Sequence, residues 1–115
     1  MSPRRVRSIS AHKRPERLPV QLNIGDRVQV GDRDTEWPEF VFVTSDQGEG
    51  WVPARYLSTD ARHATVVTPY DTTELSTAVG EELDVIVDDN LSGWLWCRSS
   101  PGAEGWVPQN TVTDL

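Results

Sequence analysis

Apolar and polar residues alternate one by one through most of this chain, and the helical period of 3.6 is nowhere sustained. The alternation is plain in Val20-Gln-Leu-Asn-Ile24, at Val28 and Val30, in Thr65-Val-Val67, and at Leu83, Val85 and Val87. A period of two puts successive side chains on opposite faces of a strand. Phe40-Val-Phe-Val43 and Trp94-Leu-Trp-Cys97 are aromatic and β-branched, the composition of half-buried strands. Turn signals punctuate these runs: Gly25-Asp26, Ser45-Asp-Gln-Gly48, Gly80-Glu81 and Ser99-Ser-Pro-Gly102. Near the N-terminus a short strand is expected around Arg7–Ala11. Pro15 and Pro19 then bar a helix, so an irregular loop runs to Pro19. Pro53-Ala-Arg-Tyr56 has room for one 3₁₀ turn only. Short strands with frequent turns and no helix predict an all-β protein.

The pattern is written twice. Glu49-Gly-Trp-Val-Pro53 returns as Glu104-Gly-Trp-Val-Pro108 near the end of the chain. An internal repeat sets the unit of folding. The division it predicts is a basic, disordered lead-in over residues 1–5, one domain over 6–58 and a second over 62–115. Ser58–Arg62 would be the seam between them. Within each domain Val41, Val43, Leu95 and Cys97 share the inward face. Phe40, Phe42, Trp94 and Trp96 share the other, where large rings must cover or bind something. Trp51 and Trp106 are expected to pack over the rim, and Phe42 and Trp96 to shield a sheet face or the contact between the repeats. Cys97 is expected as a small buried apolar residue.

Composition narrows the function classes. With 37% apolar and 25% charged residues the chain reads as globular. No apolar run reaches the length of a membrane span. A lone cysteine excludes an internal disulfide, and without an apolar export signal the expected compartment is the cytoplasm. The net charge of −7 is uneven. Arg4, Arg5, Arg7, Lys13, Arg14 and Arg17 stand against Glu16 alone in the lead-in and first loop, and the rest is acidic. An acidic body repels phosphates, so no nucleic acid is expected, and the basic arm is read as solubilising or self-neutralising. His12 and His63 are isolated, and no metal site, cofactor or catalytic triad is expected.

Further residues carry a resemblance. Thr68-Pro-Tyr-Asp-Thr72, Glu74-Leu-Ser-Thr-Ala-Val-Gly-Glu81, Gly93-Trp94-Leu-Trp96 and Gly105-Trp-Val-Pro-Gln-Asn110 follow one another at the spacing found in SH3 domains. The chain resembles two SH3 domains in tandem, of the divergent bacterial type, over roughly residues 7–115. The resemblance implies two SH3-like five-stranded β-barrels. It also implies a groove for an extended, proline-rich peptide, built in the second repeat from Tyr70, Trp94 and Pro108, with Glu74 pairing a ligand arginine. Asp88 and Asp89 would lie in the second specificity loop. In the first repeat the matching positions are Phe40, Pro53 and Tyr56. Thr72 and Thr111 stand where the family has tyrosines.

The function these residues imply is non-enzymatic: a monomeric adaptor module binding an extended, basic or proline-containing peptide. A polyproline II segment is ordered before it binds, so capture costs little entropy. Two other readings fit the same fold, a cell-wall (peptidoglycan) binding module and a purely structural tandem.

Overall fold

A computed structural model describes residues 4–60 and 63–115. The expected lead-in thus falls partly outside the described residues, as do Ala61 and Arg62 of the expected seam. Among the described residues all regular structure is strand or single 3₁₀ turn. In chain order the strands are β1 (Arg5–Ser8), β2 (Gln21–Leu22), β3 (Arg27–Arg33), β4 (Phe40–Ser45), β5 (Gly48–Pro53), β6 (Leu57–Asp60), β7 (His63–Val66), β8 (Tyr70–Asp71), β9 (Glu82–Asp89), β10 (Trp94–Arg98), β11 (Glu104–Pro108) and β12 (Val112–Asp114). The 3₁₀ turns are Ala54–Tyr56 and Gln109–Thr111, each directly after the repeated Trp-Val-Pro. Gly25 and Gly80, which match each other in the repeat, both take a positive φ (93° and 90°) at the turn before β3 or β9.

The strands form a five-stranded sheet β11-β10-β9-β1-β12, a second five-stranded sheet β5-β4-β3-β7-β6, and the pair β2-β8. Neither five-stranded sheet closes on itself, which corrects the expectation of closed barrels. Pro53 and Pro108 end β5 and β11 and have no N–H to continue a ladder. The 3₁₀ turn that follows carries the chain to β6 or β12 at the other edge of its sheet.

The chain divides into two compact units, but not where the repeat predicted. One, the flanking unit, is Met1–Glu16 with Thr73–Leu115; the other, the central unit, is Arg17–Thr72. Domains over 6–58 and 62–115 are therefore corrected. Leu57–Asp60 is not a seam but strand β6, paired with β7. The first strand of each repeat serves the other repeat's sheet. β1 lies between β9 and β12, with Val6 opposite both Leu83 and Asp114. β7 lies between β3 and β6, with Ala64 opposite Val28 and Thr59.

Cross-strand charge gives a physical reason for this exchange. On β9, Arg5 faces Asp84 and Arg7 faces Glu82. Arg5 Nε lies 2.8 Å from Asp84 and its Nη1 3.1 Å from Glu82; Arg7 reaches Glu82 at 3.5 Å. Arg4 pairs with Asp114 at 2.9 Å and also with Asp88. The matching positions on β3 are Arg27 and Gln29, which β7 meets with neutral Thr65 and with His63. Placed on β3 in the same register, Arg7 would face Arg27, and like charges directly opposite destabilise a ladder. The basic arm is thus absorbed by the acidic strands of its own unit.

The inward faces are as predicted by period two. Val6, Leu75, Leu83, Leu95, Cys97 and Val107 form the core of the flanking unit, with Val85 and Val112 against it. In the central unit Leu22, Val28, Val43, Val52, Ala64 and Val66 are all buried. Val6 alone, 0% exposed, contributes about 1.5–3 kcal/mol by burial. Phe40 departs from the outward face to which it was assigned and is buried too. It pairs with Pro53 where β4 begins, at the end of the ladder.

One glycine of the repeat has a reason in packing. Residues 73–75 cross β11: Trp106 N–H donates to Thr73 O (2.9 Å) and Leu75 N–H to Trp106 O (3.1 Å). A Cβ on Gly105 would stand 2.7 Å from Leu75 N and 2.8 Å from Glu74 C, both backbone atoms. Gly105 is what lets the two backbones touch.

Candidate functional site

In the flanking unit the candidate site gathers around Trp94. Trp94 opens β10, opposite Asp89 on β9 and Pro108 on β11. Its ring is half-buried, while Pro108 is buried. The Thr111 hydroxyl donates to Pro108 O (2.7 Å) within the 3₁₀ turn. Gln109 N–H donates to Gly93 O (2.8 Å), and its side-chain amide bridges Asp88 (3.1 Å) and Asn90 (3.0 Å). Asp89 is buried, and its carboxylate receives Ser92 N–H at 3.4 Å.

The partner the sequence did not supply is His12. Its ring meets Trp94 edge-on, with centroids 5.5 Å apart at 78°. Its Nε2 lies 2.9 Å from Glu74 Oε1. Two backbone bonds fix the residue: His12 N–H to Thr77 O (3.1 Å) and Thr77 N–H to His12 O (2.8 Å). Glu74 is itself held by its parallel bridge to Trp106. Glu74, Trp94 and Pro108 of the expected groove therefore come together, with an imidazole where a tyrosine was expected.

Tyr70 is elsewhere. It belongs to the central unit, where Leu22 is its strand partner. There it is buried and meets Tyr56 edge-on at 5.4 Å and 65°. Tyr56 is half-buried, and the Arg55 guanidinium lies 4.8 Å from its ring centroid, within cation–π range. Arg55 also approaches Glu39 at 3.7 Å. Phe40 and Pro53 are buried beside each other in the ladder. The seven expected site residues thus divide between the units, Glu74, Trp94 and Pro108 in one and Phe40, Pro53, Tyr56 and Tyr70 in the other.

The match that singles out His12 appears only once each first strand is paired with its sheet. Val6 occupies in one sheet the place that Ala64 occupies in the other. Continued along the chain at that spacing, the match sets His12 against Tyr70, and His12 bridges Thr77 as Tyr70 pairs with Leu22. Comparing only the strands that share a half of the sequence does not reveal this match.

The outward aromatics form cross-strand pairs. Trp96 meets Trp106 at 5.3 Å and 81°, and Phe42 meets Trp51 at 5.1 Å and 74°. Arg17 lies 5.5 Å over Phe42. Trp96 Nε1–H donates to Glu104 (2.8 Å) and Arg98 to the other oxygen (2.9 Å). The Trp96 bond first, and Arg98 second, hold the Glu104 carboxyl below the usual carboxylate range. These rings shield the sheet face, as expected for Trp96 and Phe42. Among the described residues no helix is long and apolar enough to cross a membrane.

Over 118 residues the chain is 27% identical to the SH3 and PX domain-containing protein 2B of mouse, and to the human protein of that name to the same extent. The alignments take in 87% of this chain and 12% of the relatives, so the chain spans about an eighth of their length. The likeness supports an SH3-like domain here. No protein-family model matches the chain, and no solved structure does.

Proposed function

We propose that this chain is a non-enzymatic protein-interaction module of two SH3-like units, and that the flanking unit binds an extended, proline-containing peptide across Trp94. The observation that carries the reading is the Trp94 site itself: a half-buried indole flanked by a fixed imidazole, a buried proline and a carboxylate. Flat rings of this kind suit the ridged, donor-poor surface of polyproline II. The likeness to SH3-containing relatives supports a protein-binding role in general. The net charge of −7 favours basic partners by steering, an effect that salt weakens.

A different role suits the central unit. Phe40, Pro53 and Tyr70 are buried, and Arg55 lies over Tyr56. A structural part, completing the chain rather than taking a ligand, follows from that packing.

A peptide array probed with the intact chain, followed by titration of the best proline-containing sequence, tests the proposal. Trp94→Ala is expected to weaken binding by about 2 kcal/mol, the scale of an interface hot spot. Tyr56→Ala is expected to leave affinity unchanged. Equal affinity for a folded Trp94→Ala variant removes the groove as described.

A further inference from the structure

We propose that His12 masks Glu74, so that the flanking unit selects an uncharged proline-containing segment rather than one anchored by arginine; this rests on the Trp94 groove proposed above. Glu74 lies where the acidic partner of a ligand arginine was expected. One of its oxygens is already engaged, by His12 Nε2 at 2.9 Å. Both side chains are largely withdrawn from solvent, 16% and 22% exposed.

The imidazole is held on three sides. Its backbone is clamped to Thr77 by two hydrogen bonds, its ring stands edge-on to Trp94, and its nitrogen faces the carboxylate. A guanidinium recognises a carboxylate best through two parallel hydrogen bonds, one to each oxygen. With Oε1 bonded to His12 that fork cannot form without breaking the existing bond in a half-dry site. What remains accessible is part of the half-buried Trp94 side chain, which suits an apolar pyrrolidine ridge. The central unit has a tyrosine at the equivalent place, so the imidazole is particular to the flanking unit.

The test uses the intact chain and two synthetic peptides, a proline-rich sequence with one flanking arginine and the same sequence with glutamine in its place. The wild-type chain is expected to bind the two within about threefold of each other. His12→Phe keeps a ring against Trp94 and frees Glu74; it is expected to favour the arginine peptide by about tenfold or more, the scale of a charge-assisted hydrogen bond. That preference should vanish in His12→Phe/Glu74→Gln, while His12→Gln, which retains a donor, should remain indifferent. Three results overturn the inference: a tenfold arginine preference in the wild type that Glu74→Gln abolishes, equal loss of both peptides in folded His12→Phe, or no change in selectivity in that variant. Should His12→Phe not fold, Glu74→Gln decides alone. An equal effect on both peptides supports masking, and selective loss of the arginine peptide refutes it. Failure of the wild type to bind either peptide defeats the groove first and the masking with it.

Discussion

Cys97 sits on β10 opposite Gly105 with none of its surface exposed. Burial raises its thiol from the ordinary 9.0 to about 12. The neutral form is therefore the one the fold stabilises. That contribution is fully present below the unfolded thiol's pKa and is lost as the pH rises through the folded value of about 12. At neutral pH a thiol reagent is expected to label the folded chain far more slowly than the chain in denaturant, and rapid labelling of both would contradict the burial. The same residue shows what period two discloses: Cys97 follows Leu95 on one face, so its burial was legible. His12 was not. A lone histidine in a proline-containing loop has no pattern around it, and its role comes from Glu74 and Trp94, both remote from it in sequence.

Among the elements, β11 and β5 carry the same five residues but not the same constraint. A Cβ on Gly105 would meet backbone at 2.7 Å and 2.8 Å, which cannot swing aside. On Gly50 the nearest neighbour is the Thr72 side-chain methyl at 3.4 Å. Gly105→Ala is expected to destabilise the chain by about 2–3 kcal/mol and Gly50→Ala by less than about 1 kcal/mol, read from urea midpoints at constant slope. Equal losses would mean that the crossing of residues 73–75 is not the cause. Most strands and the 3₁₀ turn after Pro53 were legible, because alternation and turn residues act locally. The pairing of β2 with β8 was not: the alternation over Val20–Ile24 marks a strand but not its partner, and the ladder joins Gln21 and Leu22 to the distant Asp71 and Tyr70. Phe40 was misassigned because alternation separates faces only while both sides of a strand have different surroundings. At the start of β4 the ring is covered as well.

For the molecule as a whole, the repeat announced two units, and cross-strand charge favours the way the chain is shared between them. The expected split at residues 58–62 assumed that neighbours in sequence pair with each other. Arg5 and Arg7 are instead complementary to Asp84 and Glu82, while Arg27 occupies the corresponding place on β3. Reversing both arginines, Arg5→Glu with Arg7→Glu, should cost about 1–2 kcal/mol, because exposed cross-strand pairs are individually small and become repulsive when reversed. Adding Glu82→Arg and Asp84→Arg should restore most of the loss, and the rescue should fade in high salt. A rescue that does not occur would remove charge as the reason for the exchange. The interlacing also sets a timetable for synthesis. Arg5 O accepts the N–H of Leu115, so β1 closes against residues made long after it. At roughly 5–20 residues per second, translation keeps that strand waiting for several seconds, during which the central unit can already be complete. Arg5 and Arg7 of that strand meet Asp84 and Glu82 only once β9 has emerged.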